Sequence, residues 1–497
     1  MRCLSNVDFR VEETTIQKIH EAMKKGRTSC RAIMEEYLRR IEAYDKKGPS
    51  LNAVILVNPK ALKEAEEIDL IFRKQGPIGP LHGIPVLLKD NVETGDMVTT
   101  SGSLALKNYL PDDDAFIVKR LKTAGAIILA KANMHEFAIW GESVSSILGQ
   151  VLNPYDLTRT PGGSSGGTGA GIAANFAAVG IGTDTINSIR SPASACSCVG
   201  IRPTIGLVSR DGICPYSLDQ DTAGPICRTV EDAVRVLDVI AGYDPADPET
   251  AWAVGNIPPS YTQFLRPDGL QGKRIGILWS LFGDKPEHEE VNAAIKRSLN
   301  AMKDGGAVLV DVDEPIDTNY LTSEVSVHLH TLKDDLESYL RSCGEKVKYH
   351  TISELIDSGE IHPSIVENMK AAAILGRNSD AYKTRTLKRL ALRTQIMKLM
   401  ADLKLDAFVY PHQKRLVVPV GEPQVERNGV LGSVTGFPAI TLPGGFSHPT
   451  KAAPEGVPIG LEILGRPWSE GALISIAYAF EQLTLFRKPP YSTPPLK

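Results

Sequence analysis

The sequence predicts an α/β protein, a single large domain with a central mixed β-sheet covered by helices, and three observations predict it. Short apolar and β-branched runs alternate with helical stretches along the chain. Several of those runs are continuously apolar, as strands buried on both faces require. The 497 residues are 42% hydrophobic and 23% charged, which supplies the material of a large core. Length alone would suggest about three domains at roughly 100–200 residues each, but large α/β enzymes often run past that as one unit.

Residues 15–44 read as two helices, with Gly26 breaking the run and Ser29 as an N-cap before Ile33, Tyr37, Ile41 and Tyr44 at helical spacing. A helical stretch around Phe116–Lys122 stops at Gly125, and Ala126–Ala130 follows as a buried strand. Thr229-Val230-Glu231-Asp232 has the form of a capping box, and the apolar face from Val230 to Ala241 makes this the clearest helix in the chain. Arg274–Trp279 and Ala307–Val312 read as strands on either side of a helix over Glu289–Met302. Residues 326–404 carry helical periodicity with many charges, and so interrupt the α/β pattern. Strand character returns at Ala407–Tyr410, Pro438–Leu442 and Ile459–Leu464, before a helix over Glu470–Leu483.

Composition excludes several function classes. The net charge is −4 and the basic residues are dispersed, so neither nucleic acid nor an anionic membrane is expected as a partner. The opening MRCLSNVDFR has no signal-peptide character, and no run approaches the roughly 18–20 apolar residues of a membrane span. A cytoplasmic protein without a membrane anchor is the expectation. Seven cysteines (Cys3, Cys30, Cys196, Cys198, Cys214, Cys227 and Cys343) are odd in number and lack paired CxxC spacing, so neither a disulfide framework nor a zinc site is indicated.

The unusual segment is Pro161–Gly171, with six glycines and two adjacent serines, Ser164 and Ser165, in eleven positions. Glycine is retained at such density where φ is positive or a backbone must approach closely. A phosphate loop would need Gly-Lys-[Ser/Thr], and the segment has no lysine. A dinucleotide fingerprint and a hydrolase nucleophile elbow both need a preceding strand, whereas Asn153–Pro161 is rich in turn residues. A linker is disfavoured because apolar residues resume at once from Ile172 to Val179.

Just beyond lies Gly180–Ser194, with Ser188 inside Asn187-Ser188-Ile189-Arg190, and upstream lies Gly83-Ile84-Pro85-Val86-Leu87-Leu88-Lys89-Asp90-Asn91. Together these segments resemble the amidase signature family. The likeness extends through Lys131–Phe137 and Asn153-Pro154, past Gly200–Thr204, to Gly436–Ile440 and Leu464–Pro467, which is nearly the whole chain. It implies one amidase domain over 1–497, with N-terminal helices over about 10–75, a signature core over about 76–245 and a helical variable region over about 320–405.

Carried over residue by residue, the resemblance makes Ser188 the nucleophile, Ser164 a bridging serine on a cis peptide bond, and Lys89 the base. The chemistry of the residue types agrees. A serine is a poor nucleophile without a neighbouring base, and a lysine serves as one only if burial depresses its pKa well below about 10.4. Lys89 ends an apolar run, where an unpaired ammonium would be costly. The turn Thr185-Ile186-Asn187-Ser188 resembles the family's oxyanion loop, and Phe137, Ala138 and Trp140 lie in a segment similar to its acyl-pocket wall. Asp184 and Arg190 are expected to hold the loop. His135 and His412 are the natural substitutes if a histidine base is used instead.

One departure stands out. Relatives commonly carry glycine directly before the nucleophile, and this chain has Ile186 and Asn187. β-branched isoleucine does not tolerate a left-handed backbone, so the oxyanion loop is less secure than the identity of Ser188. The function implied is hydrolysis of a carboxylic amide through a Ser188 acyl-enzyme, with no metal or organic cofactor. The expected partner is a small-molecule amide substrate, with a homodimer as the one assembly entertained. Two other readings stay open: the glutaminase subunit of a tRNA-dependent amidotransferase, and a catalytically impaired binding protein on the same scaffold.

Overall fold

A computed structural model describes residues 9–496, so Cys3 lies outside the described residues. The remaining six cysteines are free and buried. Eleven strands form one sheet: β1 (Val54–Val57), β2 (Pro85–Lys89), β3 (Ile127–Ala132), β4 (Val179–Asp184), β5 (Val199–Arg202), β6 (Thr222–Cys227), β7 (Arg274–Leu278), β8 (Val308–Val312), β9 (Ala407–Pro411), β10 (Ala439–Phe446) and β11 (Pro458–Leu464). Their spatial order is β1-β3-β2-β4-β6-β5-β10-β11-β9-β7-β8. The sheet is mixed: β2 runs parallel to β3 and β4, and β7 parallel to β8 and β9, while the other neighbours are antiparallel.

Most strands are buried along their whole length, which is why they read as continuous apolar runs. The strand expected at Pro438–Leu442 continues to Phe446, because a register shift between Pro443 and Gly445 carries the pairing past a residue that cannot donate to the ladder. The first helices occupy Ile16–Lys24 and Cys30–Ile41, and the Ser29 side chain accepts the Ala32 N–H as the N-cap. Thr229 likewise caps Val230–Ile240 by accepting from Asp232 N–H. The reciprocal half of the expected box is not made, since Asp232 Oδ1 accepts the Ile16 N–H instead and ties this helix to the N-terminal one.

The glycine-rich segment forms a buried helix, Gly166–Ala173, lying directly on β4. Close approach explains its composition. A Cβ at Gly167 would sit 2.2 Å from the Asn133 carbonyl oxygen, and one at Gly182 of β4 would sit 2.9 Å from Ser165 Oγ. Within 326–404 the helices are His328–Ser342, Ile352–Ser358, Pro363–Ala373 and Asp380–Asp402. Leu332, Leu336, Leu340, Ile365 and Met369 from the first and third pack with Met134, Phe137, Ala138 and Tyr216 into a core of their own beside the sheet. Among the described residues, no helix is long and apolar enough to cross a membrane.

Candidate active site

Parallel strands gather functional side chains at their C-terminal ends, and here β2 ends in Lys89 while its parallel neighbour β4 ends in Thr183 and Asp184. Lys89 is fully buried and its Nζ has two hydroxyl partners, Ser164 Oγ at 2.8 Å and Thr183 Oγ1 at 2.8 Å. Burial pushes the Lys89 pKa down to about 7, against the pull of Asp221 and Asp184, whose negative charges favour the ammonium. The amine is therefore available in its neutral form near neutral pH. The Gly163–Ser164 peptide is cis. It is held from both sides: Ser164 O accepts the His135 N–H at 2.9 Å, and Ser143 Oγ donates to Gly162 O at 2.8 Å.

Ser188 is tied to this region through its backbone, its carbonyl accepting the Ser165 N–H at 3.3 Å. It lines a cavity of about 450 Å³ together with Thr185, Ile186 and Asn187. Among the described residues, the backbone N–H groups of Thr185, Ile186, Asn187 and Ser188 donate to no protein acceptor, whereas Ile189 N–H donates to Asp184 Oδ2 at 3.1 Å. Four successive free donors beside a hydroxyl suit a developing oxyanion. The feared strain is absent, because neither Ile186 nor Asn187 adopts a positive φ. The expectation of an insecure loop is corrected accordingly: the backbone here uses conformations that isoleucine tolerates.

A buried ionic lattice holds this loop. Arg190 Nε donates to Asp184 Oδ2 at 3.1 Å, its Nη1 to Glu462 Oε1 at 2.6 Å and its Nη2 to the Ile186 carbonyl at 2.8 Å. Arg202 Nη1 donates to Asp184 Oδ1 at 2.8 Å. Ser433 Oγ also donates to the Ile186 carbonyl. Although burial opposes ionisation, the two arginines keep the Asp184 carboxyl well below its usual range, and Arg190 and His412 hold Glu462 at about 2.

Ala138 and Trp140 both line the cavity, and Trp140 is 43% exposed at its mouth. Phe137 does not line it and packs into the helical core instead. Phe137, Ala138 and Trp140 all have positive φ, at 49°, 57° and 74°, an uncommon cluster for residues with side chains. Tertiary links over-determine it. His135 Nε2 lies 3.1 Å from Ser364 Oγ, and Glu136 Oε2 accepts the His362 N–H at 3.0 Å, both across to the helical region.

Among the described residues, neither histidine ring hydrogen-bonds Ser164 or Ser188. His135 Nδ1 accepts the Glu142 N–H at 3.2 Å, and burial pushes its pKa down to about 3. His412 Nδ1 pairs with Glu462 Oε2 at 2.6 Å. Among the described residues no group of three or more His, Cys, Asp or Glu side chains is arranged to hold a metal ion.

Sequence reasoning missed three residues. Thr183 bridges Lys89 and Asn91, accepting Asn91 Nδ2–H at 3.2 Å. Asp221 is buried, takes the Thr185 hydroxyl at 2.5 Å and the N–H groups of Tyr216 and Ser217 at 2.9 Å each, and is pushed up to about 6 by burial. Arg427 lines the cavity beside Asn187. Asp221 and Arg427 stand in turns and irregular chain, where no periodicity marks a residue.

The model of the family described as Amidase matches residues 32–474. A probable amidase of Arabidopsis thaliana is 38% identical, over 97% of this chain and 92% of its own length. A glutamyl-tRNA(Gln) amidotransferase chain of Thermoanaerobacter pseudethanolicus is 34% identical, over 96% of this chain and 97% of its own. Among solved structures, the native peptide amidase of Stenotrophomonas maltophilia superimposes with a TM-score of 0.87 at 37% identity, covering 97% of this chain and 99% of that one.

Proposed function

The chain belongs to the Amidase family and hydrolyses amide C–N bonds, and from that premise we propose that it does so through an acyl-enzyme on Ser188. The observation that carries this reading is the 2.8 Å contact between Lys89 Nζ and Ser164 Oγ, buried beside a cavity that Ser188 lines. Neutral Lys89 takes the Ser164 proton as Ser164 takes that of Ser188, and Ser188 Oγ bonds to the carbonyl carbon. The carbonyl oxygen becomes an oxyanion facing the N–H groups of residues 185–188. Ser164 then returns a proton, drawn from Lys89, to the substrate nitrogen, the C–N bond breaks, and ammonia or an amine leaves. Water repeats the sequence on the ester, with its proton passing to the relay, and releases the carboxylate and Ser188.

The glutaminase reading is motivated by the 34% identity to the amidotransferase chain, yet the solved amidotransferase chain of Thermotoga maritima superimposes with a TM-score of 0.75 at 25% identity, below the peptide amidase on both counts. An amide-cleaving enzyme that works as an isolated chain is therefore favoured. A fluorophosphonate probe with peptide mapping tests the mechanism: modification of Ser188, together with ammonia release from a primary amide by the purified chain, is the expected result. Modification of Ser164 instead, or activity only on adding partner proteins, overturns it.

A further inference from the structure

Only two side chains lining the cavity carry a formal charge among the described residues, Glu426 and Arg427. Glu426 is already engaged, by His288 Nε2 at 3.1 Å and Lys285 Nζ at 3.4 Å. Arg427 makes no ion pair among the described residues. Its one hydrogen bond is a long one, from Nη1 to Asn187 Oδ1 at 3.5 Å. Nη1 of the guanidinium approaches Gly141, where an added Cβ would fall 2.0 Å from it, so its position is set by packing.

Glu142 is the neighbouring carboxylate, and its oxygens are spent elsewhere. They accept the N–H groups of Gly141 at 3.0 Å and Gln424 at 2.8 Å, and Oε2 lies 3.5 Å from His135 Nδ1. Loss of water around Arg427 disfavours its charge, and Glu142 compensates only in part. His328, which also lines the cavity, is kept neutral at about 3 by burial and by nearby cations that include Arg427. One wall of the cavity, next to the residue preceding Ser188, thus holds a fixed and unmatched cation.

We propose that Arg427 is a specificity residue and that the amide cleaved carries a carboxylate which pairs with its guanidinium. A planar fork of N–H donors fits a carboxylate in two parallel hydrogen bonds, which a neutral group cannot reproduce. Substrates lacking the anion leave the guanidinium without a charged partner, the situation in which binding sites discriminate most strongly. The inference rests on the hydrolase reading above and adds the substrate class to it.

The test compares two primary amides of equal length, one ending in a carboxylate and one in its methyl ester. Wild-type kcat/KM is expected to favour the carboxylate about 100-fold, in line with a hydrogen-bonded charge pair. Arg427→Gln should bring that ratio close to one through KM for the anionic amide, and Arg427→Lys should lose roughly tenfold of it, since a point charge keeps attraction without the fork. Calorimetric binding of the matching dicarboxylate to each purified protein gives a readout that needs no turnover. It should weaken about 100-fold in Arg427→Gln. A wild-type ratio near one, or equal losses on both amides, overturns the proposal. Absence of turnover on either amide, with the binding difference intact, would count against the Ser188 mechanism and not against Arg427.

Discussion

Lys89 Nζ lies 2.8 Å from Ser164 Oγ and 2.8 Å from Thr183 Oγ1, so both partners of this buried amine are hydroxyls and neither is a carboxylate. That relationship sets the protonation state. An ammonium surrounded by hydroxyls recovers little of its lost hydration, so burial lowers the pKa to about 7.

The first prediction is the pH dependence that follows. With the neutral amine as the proposed base, its fraction rises with pH through about 7, so kcat/KM should climb about tenfold per unit below that pH and level off above it. Lys89→Ala should lose several orders of magnitude in kcat and the pH-dependent limb with it. A pH–rate profile of both proteins checks this, and a near-normal rate in Lys89→Ala would remove the lysine from the mechanism.

Asp221 supplies a second prediction with a defined sign. Its charge favours the Lys89 ammonium, while burial pushes its own carboxyl up to about 6. Asp221→Asn removes the attraction, and the midpoint of the acid limb should move to lower pH. The same change should also loosen the Thr185 hydroxyl contact, seen as a fall in kcat on the plateau. A midpoint that moves upward would contradict the assignment of Lys89 as the titrating base.

The serines separate by labelling. Ser188→Ala should abolish turnover and probe modification together. Ser164→Ala keeps the nucleophile but removes the relay, so kcat should drop about 10²–10⁴-fold, the usual worth of general acid–base catalysis, with slow modification of Ser188 still detectable by mass spectrometry.

Much of this site was legible in the sequence, for a physical reason. Lys89 closes an apolar run and Ser164 lies among clustered glycines, whereas Ser188 is picked out by the resemblance to the amidase signature family. The packing demands that made those segments unusual are the ones that bring the residues together, as the Ser165 Oγ contact at Gly182 illustrates. Asp221 and Arg427 carry no such mark. Each reaches the site from irregular chain, and its role depends on which partners it lacks, a property of three-dimensional packing that residue order does not encode. Ile186 shows the opposite error, since its identity suggested strain where the backbone has none.

Arg190 links the loop to the sheet, and its removal gives a stability prediction. Arg190→Met takes a buried charge partner from Asp184, which keeps Arg202, and from Glu462, which keeps His412 and Tyr410, and should cost about 3–5 kcal/mol, read from urea denaturation. The pH sign follows from Glu462, whose folded pKa of about 2 lies below its unfolded value of 4.5. Its contribution is therefore complete above about 4.5 and fades as pH falls through about 2. Wild type should lose stability in that acid window, and Arg190→Met should show a weaker dependence there.

Asn187 lines the cavity next to Ser188. Its backbone carbonyl accepts the Ser191 N–H at 2.7 Å, which fixes the loop independently of the side chain. The side chain contributes only the long contact to Arg427, and its Nδ2 is buried without a partner. Since φ is not positive at this position, glycine gains no conformational advantage there, and the effect of Asn187→Gly should come from the space it opens. The ratio of kcat/KM for a bulky over a small amide is expected to rise about tenfold, the worth of one or two methylenes of pocket space. If Asn187 instead positions the oxyanion donors, kcat should fall on both amides by as much as about 2.7–4 kcal/mol of lost stabilisation, with the ratio unchanged. Steady-state kinetics on the two substrates separates the outcomes, because one changes selectivity and the other changes only rate.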